Sequence, residues 1–91
     1  MSIRVHLSAL LSDHSGAPAE LVLAATSVRA ALAELERSHA KVYRSVCDET
    51  GALRRHVNLF VNSSSVRDLA GLDTPLRPGD ELTLIQAVSG G

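Results

Sequence analysis

Apolar and polar residues alternate near the N-terminus in the pattern of a strand with one buried face. Ile3, Val5 and Leu7 are separated by polar residues, and a period of two is typical of a half-buried strand. A second short apolar stretch at 20–24 predicts another strand. The segment 8–18 between them contains Ser, Asp, Gly and Pro, so it predicts a connecting loop and the two strands a hairpin.

The next segment changes to the period of a helix. Apolar residues fall at helical spacing on one face after an N-cap oxygen at 26–27, namely at Val28, Ala31, Leu32 and Leu35. Charged residues occupy the remaining positions, which is the pattern of an amphipathic helix with its apolar face on the core. The segment 41–47 has the pattern of one further helical turn, and Gly51 marks a stop.

Alternation returns in the C-terminal half. The segment 55–62 predicts a third strand, followed by a polar turn at 63–65 and a brief strand at 66–67. The tight-turn sequence Pro-Gly-Asp at 78–80 leads into a last strand predicted over 81–88. The order strand, strand, helix, strand, short strand, strand predicts an α+β fold with a mixed sheet of four to five strands and one main helix packed on one face.

A sheet covered on one face leaves its other face in contact with solvent. Val57, Leu59 and Val61 share one side of the third strand, so we expect this side to pack under the helix. Phe60 and Ile85 then lie on the open side. Exposed apolar clusters often mark partner sites, and this pair is the candidate partner-binding surface.

Composition narrows the class of protein. The chain has 91 residues, 45% of them apolar, and a net charge of −1 with basic and acidic residues interspersed. This length predicts a single domain over 1–91. The balanced charge disfavours nucleic acid and membrane surfaces as partners, and no apolar run approaches a membrane span or a signal peptide. The lone Cys47 excludes an internal disulfide and favours a reducing, cytoplasmic setting.

A search for catalytic groups finds no constellation. The four histidines lie in different predicted elements and form no pair at metal-ligand spacing, so no metal site is expected. The serines at 63–65 are expected to form a turn. Cys47 is interpreted as a small buried filler, because its acidic neighbours Asp48 and Glu49 raise the pKa of a thiol. The chain is therefore predicted not to be an enzyme and to bind no cofactor.

The C-terminus is the remaining candidate for chemistry. The chain ends AVSGG at 87–91, directly after an apolar strand. Glycine lets the backbone approach another surface closely, and the four residues 88–91 extend up to ~13 Å. A flexible tail over 88–91 therefore suits insertion of the terminal carboxylate into a partner's active site. That carboxylate, with a pKa of ~3.5, is anionic at neutral pH and has to be activated before it reacts.

Four segments give the chain a resemblance to a known family: VNLFVN at 57–62, VR at 66–67, LDTPLRPGDELTLI at 72–85 and AVSGG at 87–91. In these residues and in element order the chain resembles the MoaD/ThiS family of ubiquitin-like β-grasp sulfur carriers. It is most similar to the CysO-like members, because of the long segment 38–55 and the run HVNLFVN. One departure is Gln86, where many relatives carry proline.

The resemblance implies a carrier cycle centred on Gly91. A ubiquitin-activating-like adenylyltransferase would adenylate the carboxylate of Gly91, consuming ATP. A sulfur donor, a persulfide or a sulfide source, would then convert it to a thiocarboxylate. Gly90 would leave clearance for the tail inside the partner's channel, and Val88 and Ser89 would line the entrance of that channel.

The resemblance leaves the acceptor open. The thiocarboxylate would donate sulfur to an acceptor synthase in the biosynthesis of cysteine, thiamine, molybdopterin or a secondary metabolite. Two alternatives share the activated C-terminus: a ubiquitin-like modifier conjugated to lysines, and the small subunit of molybdopterin synthase. Nothing in the residues separates these alternatives.

Overall fold

A five-stranded mixed sheet forms the centre of the structure, a computed structural model that describes residues 2–86. The strands are β1 (Ile3–Leu7), β2 (Glu20–Leu23), β3 (Val57–Val61), β4 (Ser64–Ser65) and β5 (Glu81–Gln86). The helices are α1 (Ala9–Ser15), α2 (Val28–Ser38) and α3 (Ala40–Val46). The predicted mixed sheet of the α+β class is confirmed.

The last strand lies in the middle of the sheet. The strand order is β2-β1-β5-β3-β4, with β5 parallel to β1 and antiparallel to β3. Strands β1 and β2 are antiparallel, as the predicted hairpin requires. β5 is therefore hydrogen-bonded on both sides, and the chain leaves the described region from the centre of the sheet.

The predicted loop at 8–18 is wrong, because most of it forms α1. The Oγ of Ser8 accepts from the backbone N–H of Leu11 at 3.4 Å, which caps the first turn. Leu11 is completely buried, and this apolar contact fixes the short helix on the core. Gly16 ends the helix at a φ of 69°, a left-handed conformation that glycine adopts readily.

Helix α2 is the main helix, as predicted, but it does not stand alone. Ser27 caps it by accepting from the N–H of Ala30 at 3.0 Å, and its predicted apolar face is buried. The helical turn predicted at 41–47 is present as α3, shifted by one residue, and it contacts both α1 and α2. Within residues 2–86 three helices thus cover the core, and the sequence prediction missed α1 among them.

The short strand is displaced from its predicted position at 66–67. Ser64 and Ser65, predicted as part of a turn, form β4 by pairing with Val61 and Phe60. Val66 is buried and begins a 3-10 turn, whose first N–H groups Ser65 helps to satisfy. A strand of two residues is too short to show a period, so the alternation could not locate it.

The two faces of the sheet differ as predicted. Leu59, Leu82 and Leu84 are at most 1% exposed and pack in the core beneath the helices. On the opposite face Phe60 is half-buried and Ile85 is 37% exposed. The open side of the sheet therefore carries apolar side chains that solvent reaches.

Candidate functional site

The candidate site begins where β5 ends. Gln86 is the last described residue, so the predictions for Val88, Ser89, Gly90 and Gly91, including a flexible tail, lie outside the described residues. The structure does define the base from which those residues continue. That base is the C-terminal end of the central strand.

Two hydrogen bonds attach this end of β5 to the residue that caps α1. The N–H of Ser8 donates to the carbonyl of Leu84 at 2.9 Å, and the N–H of Gln86 donates to the Oγ of Ser8 at 3.3 Å. On its other side Gln86 pairs in register with Val57. Gln86 stands where the family resemblance leads us to expect proline. Because proline has no N–H, it could not donate this hydrogen bond to Ser8.

The side chain of Gln86 is unusual. Its Oε1 is buried and accepts no hydrogen bond from any residue within 2–86, and an unsatisfied buried acceptor costs free energy. Only the unexpected residue type at position 86 could have indicated this feature from the sequence. The base of the candidate tail therefore contains one buried acceptor that no described residue satisfies.

Phe60 and Ile85 form a diagonal pair on the open face. Phe60 lies opposite Thr83 in the ladder, and Ile85 lies two residues further along β5, opposite Asn58. Diagonal neighbours on adjacent strands are about 7–8 Å apart at their Cα atoms, within reach of an aromatic side chain. The two residues predicted to form a partner surface therefore lie close together, near the exit of β5.

The same face carries a charged cluster that sequence reasoning missed. Glu81 lies between Arg4 and His6: its Oε1 is 3.2 Å from an Arg4 Nη, and its Oε2 is 3.3 Å from the Nε2 of His6. The contact with His6 lacks the geometry of a hydrogen bond. The alternation in β1 was a usable signal, because Arg4 and His6 occupy its outward positions.

A network at the start of β5 fixes the opposite end of this face. Asn62 has a φ of 55°, and its side chain accepts from the N–H of Glu81 at 3.1 Å and donates to Asp80 at 3.3 Å. The backbone N–H of Arg77 also donates to the Asp80 carboxylate, at 2.9 Å. The bonds from Arg77, then from Asn62, hold the pKa of Asp80 below its usual value. Both ends of β5 are thus anchored.

Cys47 belongs to the core, as predicted. It is 2% exposed, and burial, followed by the charge of Asp48, raises the pKa of its thiol from 9.0 to about 11. Glu36, rather than the predicted Glu49, makes a smaller contribution that also raises the pKa of Cys47. The charge of Arg54 lowers this pKa. A protonated, buried thiol is a poor nucleophile.

Metal-binding clusters and membrane-spanning helices are both absent from the part of the chain that the structure describes. Within residues 2–86, no group of three or more His, Cys, Asp or Glu side chains is arranged to hold a metal ion. Over the same span, none of the helices has the length and apolar character needed to cross a bilayer.

The architecture and the exit of its central strand define a class. A mixed five-stranded sheet packed under helices, with the last strand at its centre, is that of a ubiquitin-like β-grasp domain. The sequence profile of the ThiS family matches residues 5–91. The chain belongs to the ThiS family, which confirms the resemblance drawn from the sequence.

Individual relatives are similar over their whole length. The chain is 30% identical over 93 residues to the sulfur carrier protein CysO of Mycobacterium tuberculosis, covering 100% of both chains. Among solved structures, small archaeal modifier protein 1 of Haloferax volcanii matches with a TM-score of 0.84 and 29% identity, covering 100% of both chains. The complex of BexX and CysO from Amycolatopsis orientalis contains a chain that matches with a TM-score of 0.84 and 29% identity, covering 98% of this chain and 99% of that one.

Proposed function

We propose that the chain is a sulfur carrier protein whose C-terminal Gly91 is converted to a thiocarboxylate. The observation that carries the proposal is the path of β5. The central strand of a ThiS-family β-grasp domain is anchored at Gln86, and three residues separate Gln86 from the Gly-Gly at 90–91. Full-length similarity to proteins named sulfur carrier protein CysO supports the same function.

The chemistry follows from the carboxylate. Attack of a Gly91 carboxylate oxygen on the α-phosphate of ATP forms an acyl-adenylate and releases pyrophosphate. A sulfur nucleophile, from sulfide or a persulfide donor, then attacks the carbonyl carbon. A C–S bond forms and the C–O bond to AMP breaks, so AMP leaves. When the donor is a persulfide, reduction of its S–S bond by a thiol frees the thiocarboxylate.

The carrier itself supplies presentation rather than catalysis. Gly90 and Gly91 have no Cβ, so they fit a narrow channel, and Val88 and Ser89 would line its entrance. The reacting groups would come from an activating adenylyltransferase and an acceptor synthase. The chain is thus a cosubstrate that binds no cofactor of its own, in a cytoplasmic setting that provides ATP.

The open face of the sheet would dock these partners. Phe60 and Ile85 provide apolar contact beside the exit of β5, and Glu81 with Arg4 provides a charged rim. Apolar contact surrounded by polar groups is the usual composition of a protein interface. Docking at this face brings the partner over the base of the tail.

Mass spectrometry of the intact protein tests the proposal. After incubation with ATP, a ThiS-family activating enzyme and sulfide, the chain should gain the mass difference between one sulfur and one oxygen. Omission of ATP should prevent the gain. A chain that stays unmodified with every activating enzyme of this class from its own cell would refute the carrier function.

A second function has one specific observation in its favour. The similarity to one structure of small archaeal modifier protein 1 covers both chains completely, and a modifier and a carrier share the activation step. Isopeptide-linked conjugates on lysines, isolated from cells that express the tagged chain, would support the modifier. Conjugates that persist when the cell's activating enzyme is deleted would contradict it.

A further inference from the structure

The helical side of the molecule contains a groove that the carrier function does not use. It has a volume of about 410 Å³ and runs between the end of α1 and the start of α3. One wall is the segment 15–18, and the other is formed by 39–42 with Arg44. Pockets that hold small ligands or anchoring side chains typically begin at ~300 Å³, so the groove can accept a large side chain and its backbone.

Hydrogen bonds hold the first wall in place. Ser15 is 8% exposed, and its Oγ donates to the carbonyl of Leu11 at 2.8 Å and accepts from the N–H of Ala17 at 3.3 Å. The Oγ of Ser12 donates to the carbonyl of Ala17 at 2.6 Å. The turn after α1 is therefore preformed, which reduces the ordering cost of binding.

The groove combines an apolar surface with a basic rim. Ala17, Pro18 and Ala40 give apolar surface, whereas Lys41 and Arg44 are exposed basic residues at the rim. None of the residues that line the groove is acidic. The ion pairs formed within residues 2–86 leave Lys41 and Arg44 unpaired. This small region is therefore positive on a chain whose net charge is −1.

We propose that this groove binds an acidic peptide segment of a partner protein. An apolar side chain of that segment lies against Ala17 and Ala40, and flanking carboxylates pair with Lys41 and Arg44. The groove lining contains no Phe, Tyr or Trp side chain, which disfavours single-stranded nucleic acid, since this ligand binds largely by base stacking.

The groove lies on the opposite side of the sheet from the open face, so it can bind a partner independently of that face. The helices cover one side of the sheet, whereas Phe60 and Ile85 lie on the other. A partner bound in the groove leaves the open face and the end of β5 free. The carrier can then be held by one protein while a second protein acts on its C-terminus.

A titration followed by NMR tests the proposal on the isotope-labelled full chain. The probe is the capped synthetic peptide Glu-Glu-Leu-Glu-Glu, with Glu-Glu-Gly-Glu-Glu and Lys-Lys-Leu-Lys-Lys as matched peptides. The leucine-containing acidic peptide should shift the backbone signals of 15–18 and 39–44 in a saturable manner. The glycine peptide should bind more weakly, and the basic peptide should leave these signals unchanged.

Matched variants distinguish binding at the groove from a general effect of the protein's net charge on peptide binding. Lys41→Glu with Arg44→Glu should weaken binding about tenfold or more, because two favourable contacts become repulsive. Arg55→Glu with Arg67→Glu changes the net charge equally, away from the groove, and should bind as the parent does.

Three results would overturn the proposal: no saturable shift at the groove, equal weakening by both double variants, or tighter binding of a single-stranded oligonucleotide of the same charge. Both double variants should retain sulfur loading. Loss of loading without loss of peptide binding would bear on the carrier function alone.

Discussion

The backbone N–H of Gln86 donates to the Oγ of Ser8 over 3.3 Å, and the same oxygen accepts from the N–H of Leu11. One hydroxyl thus joins the end of the central strand to the first turn of α1. The strand that continues into the candidate tail and the helix missed by the sequence prediction are parts of one local arrangement.

Replacing Ser8 with alanine should lower the free energy of unfolding by about 1–2 kcal/mol. The change removes an N-cap and leaves the N–H of Gln86 without its partner. Urea denaturation measures the effect. Ser45→Ala is the matched control, because the Oγ of Ser45 makes an exposed bond to the carbonyl of Lys41. Equal stability of the two variants would show that the shared hydroxyl of Ser8 contributes nothing.

Phe60→Ala should strongly reduce the initial rate of sulfur loading while lowering the free energy of unfolding only slightly. The side chain is half-buried on the open face, so we expect a loss of about 1 kcal/mol, well below the ~2–5 kcal/mol expected for core Leu59→Ala. Urea denaturation and the initial rate of loading by the activating enzyme measure the two effects. Normal loading by a folded Phe60→Ala protein would argue against a docking role for this face.

Deletion of Gly91 should abolish sulfur loading and leave the unfolding transition unchanged. The deletion removes the reacting glycine and places the terminal carboxylate on Gly90, one residue short of the expected position. Intact mass and urea denaturation measure both outcomes. Ser89→Ala keeps the length of the chain and should still load. Loading of the shortened chain at the normal rate would contradict the assignment of Gly91.

The thiol of Cys47 should make stability fall at high pH. Burial raises its pKa from 9.0 to about 11, so between these values the folded state retains a proton that the unfolded chain has lost. The contribution is therefore complete below pH 9 and disappears as pH rises toward 11. Urea denaturation from pH 8 to pH 11 should show a steeper loss for the parent than for Cys47→Ala. The pKa of Tyr43 is also raised, first by burial and then by the charge of Cys47, so the comparison is made with Tyr43→Phe in both proteins. Parallel curves would contradict the raised pKa.

The sequence predicted the elements whose pattern extends over several residues. β1, β3 and α2 each repeat an apolar position three times or more, and their buried faces are the predicted ones. Once the buried face of each strand was assigned, Phe60 and Ile85 had to lie on the open face, because successive side chains of a strand point to opposite faces.

The misses come from elements too short to repeat. α1 is buried through Leu11, and its remaining signals were an N-cap serine and a terminal Gly16, which also suit a loop. β4 depends on the pairing of two serines with β3, a contact that local pattern does not encode. The groove on the helical side could not be foreseen for the same reason, since it required the position of α1.

The central position of β5 also has a mechanical consequence. β5 forms four residue pairs with β1 and five with β3. A pull on its C-terminal end acts along the strand and has to shear both sets of bonds together, whereas a terminal strand at an edge could be peeled off one bond at a time. The domain therefore resists traction in the direction in which a partner would draw its C-terminus into a channel.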